Sequence, residues 1–147
     1  MKKFTCNIRG LFLLISLCFV IITFISCSSR VSQYSTSFDK GNYYYFEKRN
    51  YKEALKHYSQ VSENDVNYIT SLRYIGYNIY CREYKENKNG LKYLEKAYTL
   101  NPTDKKVLED LGRCYIELGE IDKGKKMLEE ANTEVALSYL KIQTKKK

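Results

Sequence analysis

Five cysteines and one histidine are the side chains of this 147-residue chain best suited to bind a metal or attack an electrophile. Cys6, Cys18 and Cys27 lie in or beside an apolar N-terminal run, and Cys81 and Cys114 stand 33 residues apart. That spacing makes neither a CxxC pair nor a metal-ligand set, so Cys81 and Cys114 read as free thiols. His57, between Lys56 and Tyr58, has no acids or cysteines converging on it and reads as a solvated side chain. No Gly-rich phosphate loop and no nucleophile elbow occurs. Glu109, Asp110, Glu117 and Glu120 read as ordinary helix-surface charges. An enzyme, a cofactor and a metal centre are therefore not expected.

A net charge of +8 could point to nucleic acid, but its distribution does not. Lys2, Lys3 and Arg9 precede the apolar run, and Lys141, Lys145, Lys146 and Lys147 close the chain. Residues 27–140 are left with 18 basic and 17 acidic side chains, a nearly neutral body with no electrostatic footprint for a phosphate backbone. With 44% hydrophobic and 14% aromatic residues, that body has enough apolar surface to fold as one domain.

The N-terminus carries an address. A basic start is followed by an apolar stretch from Leu11 to Ile25, shorter than the roughly 20 residues a spanning helix needs and close to the core of a secretory signal. Phe24-Ile25-Ser26-Cys27 resembles the lipobox of bacterial lipoproteins, with Phe24 where Leu is usual. The resemblance implies a signal peptide over 1–26, cleavage before Cys27 and acyl chains on that cysteine. At about 0.8 kcal/mol per buried methylene, two chains hold a protein firmly on a membrane. Residues 27–34 then form a lipidated cysteine and a polar tether, and Ser28 favours the outer over the inner membrane of a bacterial envelope.

The remaining pattern is periodic at about 34 residues, the length of helix-turn-helix repeats. The copy at 105–138 is clearest. Leu108, Leu111, Gly112 and Tyr115 share one face of a first helix, Leu118-Gly119-Glu120-Ile121 makes a turn, and Gly124, Leu128 and Ala131 line a second helix. The copy at 69–104 repeats this with Leu72, Ile75, Gly76 and Ile79, then Gly90, Leu94, Ala97 and Pro102. It is two residues longer, and the extra pair is expected in the polar turn Lys85-Glu86-Asn87-Lys88-Asn89. The copy at 35–68 keeps Phe38, Tyr45, Ala54, Tyr58 and Val61, but Asn42 takes the small-residue position, with Gly41 one place early. Pro102 ends one helix, and Thr103 or Asp104 is placed to cap the next. Residues 134–144 read as a partial capping helix, and 141–147 as a basic tail.

These positions resemble the tetratricopeptide repeat. The resemblance implies an all-α, right-handed α-solenoid of about three repeats over residues 35–140, because one helix pair cannot bury its apolar face alone. It implies that Gly76, Gly90, Ala97, Pro102, Gly112, Tyr115, Gly124 and Ala131 serve repeat packing. It also implies a concave groove lined by the first helices: Thr36, Asp39, Tyr43, Phe46 and Glu47, then Thr70, Arg73, Tyr77, Tyr80 and Cys81, then Lys106, Glu109, Arg113, Ile116 and Glu117. Aromatics beside arginines suit a binding hot spot for a protein or peptide, and the expected role is a non-catalytic scaffold or assembly factor on the envelope membrane. The alternative is a cell-wall or glycan-binding factor using the same aromatic groove. Nothing in the sequence indicates an oligomeric state. Changing Cys27→Ala should abolish acyl labelling and release the protein from the membrane; labelled, membrane-bound protein of unchanged mass would refute the lipobox.

Overall fold

The computed structural model describes residues 34–144. The expected signal peptide, Cys27, most of the tether and the last three lysines lie outside them. The chain divides into two units, Met1–Ser35 and Thr36–Lys147, and the described helices lie in the second.

Among the described residues there are seven helices and no strand. Helix α1 is Ser37–Asn42 continued by π-helical Tyr43–Glu47, and α2 is Tyr51–Tyr58. Helix α3 is Tyr68–Arg73 continued by π-helical Tyr74–Tyr84, and α4 is Asn87–Leu100. Helices α5 (Lys105–Glu117), α6 (Ile121–Ala131) and α7 (Glu134–Thr144) follow. Each helix packs on its successor, and α3 also touches α5, so first helices of adjoining pairs meet. Four core clusters occupy these junctions.

The pairs close at small residues. A Cβ on Gly112 would meet Leu128 Cγ at 2.8 Å and the Gly124 carbonyl at 2.9 Å; one on Gly124 would meet the Gly112 carbonyl at 2.6 Å. The middle pair repeats this contact: a Cβ on Gly76 would meet the Gly90 carbonyl at 2.8 Å and Leu94 Cγ at 2.9 Å. In the first pair a Cβ on Gly41 would meet the Tyr58 ring at 2.5 Å. Gly41, not Asn42, is therefore the small residue of repeat one. Asn42 instead accepts a hydrogen bond from the Tyr58 hydroxyl at 2.8 Å.

This contact relocates the extra residues. Each second helix begins three residues before its own small residue: Tyr51 before Ala54, Asn87 before Gly90, Ile121 before Gly124. Gly112 precedes Gly124 by 12 positions, Gly41 precedes Ala54 by 13, and Gly76 precedes Gly90 by 14. The surplus is zero, one and two residues, and π-helix occupies none, five and eleven residues of the corresponding first helix. The expected site of the extra pair, the polar turn 85–89, is corrected accordingly. Only Lys85 and Glu86 lie outside helices there, and the surplus is wound into α3, because each i to i+5 turn holds one residue more than an α-turn.

The turns are alike. Arg49 (φ 52°), Lys85 (φ 60°) and Gly119 (φ 87°) each adopt the left-handed conformation two residues before a second helix. Only the third uses the residue that takes this conformation without a Cβ clash. Asp104, of the two candidates, caps α5, its carboxylate accepting from the Lys106 and Val107 amides at 2.8 and 3.1 Å. Pro102 lies in the turn before it. Thr133 caps α7, and that helix docks on α6 through Ala136, which is completely buried with Leu108, Leu128 and Ala131.

Two substitutions test this geometry by denaturant unfolding. Gly112→Ala should cost about 1–3 kcal/mol by overpacking against Leu128 and the Gly124 carbonyl. Lys85→Gly should gain about 0.5–1 kcal/mol by relieving a left-handed residue.

Candidate interaction groove

The residues assigned to the groove fall into three environments. In the first pair, Asp39 accepts from the Thr36 hydroxyl at 2.7 Å, and Thr36 in turn caps α1 by accepting from the Asp39 amide at 3.0 Å. Tyr43 is buried, with its ring edge on Tyr44 and the Lys48 ammonium 5.4 Å from its centroid. Phe46 is 52% exposed, with edge contacts to Tyr45 and Tyr74. It is the open ring of the set.

The second environment is the core. Ile116, expected in the groove, is buried with Leu108 and Leu128 and lies against Gly124, because α5 turns that position toward α6. Cys81 is corrected in the same way: it is 1% exposed and packs with Leu94, Leu111 and Cys114. Tyr80 stacks on Tyr93 of α4, with centroids 5.6 Å apart and planes within 16°. Both residues follow the π-helical turns, and each residue added to a helix swings those after it around the axis. The template positions assumed a regular α-helix, so they misplace these two.

The third environment is a charged strip where α3 and α5 run side by side. Arg73 of α3 donates from Nε and lies 2.7 Å from Asp110 Oδ2 of α5 through Nη2, the Nε bond being 2.9 Å. Arg113 pairs with Glu109 one turn back at 3.1 Å and donates to the Tyr77 hydroxyl at 3.4 Å. Its guanidinium lies 5.7 Å from the Tyr77 ring centroid and 5.2 Å from that of Tyr139 on α7. Glu109 Oε2 also accepts from the Thr133 hydroxyl at 2.8 Å. Arg73, Tyr77, Glu109 and Arg113 thus lie together, and Asp110, Thr133 and Tyr139 join them.

Asp110 was the residue missed. It is 5% exposed and paired, not an ordinary surface charge. The available signal was an acid one position beyond the groove position of the next repeat, within reach of an arginine 37 residues earlier. Tyr139 and Thr133 were missed because the capping helix was treated as an end and not as a wall. His57 is also corrected: it is half-buried, its ring stacked on Tyr44 at 5.2 Å and 8°, and its Nδ1 is buried without a hydrogen bond. No group of three metal-capable side chains occurs among the described residues.

Electrostatically the strip is balanced, two guanidinium groups against two carboxylates. Burial pushes the Asp110 carboxyl up to about 6 from an ordinary 3.8, against the opposing pull of Arg73. The folded chain therefore holds this proton more tightly than the unfolded one. Its contribution to stability is largest at low pH and falls as the pH rises from about 4 to about 6. Asp110→Asn should remove that slope from urea midpoints measured across this window. Arg73→Met should cost about 3–5 kcal/mol by leaving a buried carboxylate unpaired, and Arg73→Met/Asp110→Leu should recover most of it.

Residues 83–141 match the sequence model of the tetratricopeptide repeat, a span from the last residues of α3 through α4, α5, α6 and into α7. No curated protein matches the chain. The matched segment starts where the π-helical part of α3 is ending, so it covers the helices whose spacing is regular. Residues 83–141 are thus similar to the tetratricopeptide repeat, and the small-residue contact found there at Gly112 and Gly124 recurs at Gly76 and Gly90.

Proposed function

We propose that the protein is a lipid-anchored scaffold of the bacterial cell envelope, held through acyl chains on Cys27 and displaying a right-handed repeat stack that engages a protein or peptide partner. Tetratricopeptide repeats generally mediate protein–protein interaction, and the family match is to a fold that is typically non-catalytic. No described helix is long and apolar enough to cross a membrane, and the anchor in this reading is the lipobox cysteine.

The observation that carries the partner reading is the strip formed by Arg73, Asp110, Glu109 and Arg113, edged by Tyr77 and Tyr139. Its charges alternate, a pattern that selects a polypeptide of complementary side chains and discriminates against like charge. A glycan site would need open ring faces. Tyr43 and Tyr77 are buried and Tyr80 is covered by Tyr93, which leaves Phe46 as the open ring among the four. The geometry therefore favours peptide over sugar. In this reading Ser28 after the cysteine favours the outer over the inner membrane.

The test is crosslinking in cells followed by recovery of the full lipidated chain, beside Phe46→Ala and Arg113→Gln forms held at equal abundance. One protein recovered with the native chain, lost with both variants and weakened by salt is the expected result. Equal recovery from all three, or recovery of wall fragments alone, would overturn the groove as a partner site.

A further inference from the structure

The π-helical half of α3 does more than absorb two residues. It carries Cys81 from the groove face into the core, where Gly90 leaves room for its sulfur: any Cβ on Gly90 would collide with Cys81 Sγ. There the sulfur lies 3.5 Å from Sγ of Cys114, which is completely buried on the first helix of the next repeat. The Cys81 thiol donates to the Cys114 sulfur, and the Cys114 thiol donates to the Asn87 carbonyl at 3.4 Å. Tyr77, Leu94, Leu111 and Tyr115 complete the surroundings. What the geometry offers is two sulfurs from adjoining repeats in contact.

We propose that Cys81 and Cys114 close into a disulfide that ties repeat two to repeat three as the exported chain folds. The proposal rests on the exported address argued above, because an oxidising compartment supplies the disulfide-bearing oxidant the step requires. One cysteine thiolate attacks a sulfur of that oxidant and displaces the first of its thiols, leaving a mixed disulfide. The second cysteine attacks the protein sulfur of the mixed disulfide, the Cys81–Cys114 bond forms, and the oxidant departs as two thiols with the two electrons and two protons. The two sulfurs stand 3.5 Å apart, and a disulfide brings them to roughly 2.05 Å.

Timing follows from the environment. The hydrogen bond to Cys114, and then burial, push the Cys81 thiol up, so in the folded chain Cys81 is a poor nucleophile, and both sulfurs are buried away from any oxidant. The bond is therefore made while α3 and α5 are still docking. In a repeat array each unit is held by its neighbours alone, and a covalent tie across one junction couples two units that would otherwise open separately.

The experiment refolds the full chain from denaturant in a glutathione redox buffer, alkylates it, and digests it with trypsin without reduction. The expected product is peptide 74–82 joined to peptide 114–123, two hydrogens lighter than the free pair. It should be absent from Cys81→Ala and from Cys114→Ala, and the linked chain should unfold at a higher denaturant midpoint than the reduced one. Recovery of both peptides fully alkylated after refolding overturns the proposal. The same digest on protein alkylated at cell lysis tests the address separately. A link formed in buffer but absent from cells overturns the oxidising export route while the pairing chemistry stands.

Discussion

The structure depends on the approach of two helix backbones at Gly112 and Gly124, and again at Gly76 and Gly90, where no Cβ fits on either side. This contact sets the distance at which Leu128 and Leu94 reach across from the second helices, both completely buried. It also fixes where each second helix starts, three residues before its small residue, and so the position of the left-handed turn residue ahead of it. Once both ends are pinned, any surplus residue must be absorbed between them. The first helix widens because it is the one element whose pitch can change while the contact stays closed.

That widening has consequences along the array. In the middle repeat it swings Tyr80 onto Tyr93 and Cys81 into the core beside Cys114, so a junction that the repeat pattern would fill with aliphatic side chains holds two thiols. In the first repeat, Tyr58 stands where Leu94 and Leu128 stand later, and its ring gathers Phe38 and Tyr74 around it. Its hydroxyl is held by Asn42. A ring with one polar tip is larger than leucine and needs a partner at that tip, which is why asparagine occupies the neighbouring position.

The candidate groove is a surface the chain already uses. Arg73 and Asp110 lock neighbouring first helices together, and Arg113 and Glu109 are backed by Tyr139 and Thr133 from the capping helix. Charges held this way are preorganised, which suits recognition, and they also bind one repeat to the next. A single strip thus serves the stack and, in the proposed reading, the partner, with its two cations and two anions paired and largely buried.

Much of this was legible from residue spacing. The helix pairs, their phase, the joint at Pro102 and the turn at Gly119 are local: each follows from the period of apolar residues or from the backbone demands of one or two residues within a turn of the feature they specify. The small residues at 76, 90, 112 and 124 were readable for the same reason. What only the tertiary structure decided is where surplus residues go and which side chains meet across repeats. A two-residue surplus fits a polar turn and a widened helix equally well on paper, and the choice is made by the helix contact that flanks it. Asp110, Ile116, His57 and the Cys81–Cys114 contact went unread because each depends on a partner on another helix. Periodicity tells which face a residue occupies, but a bend or bulge upstream rotates that face, and only packing shows what it finds there.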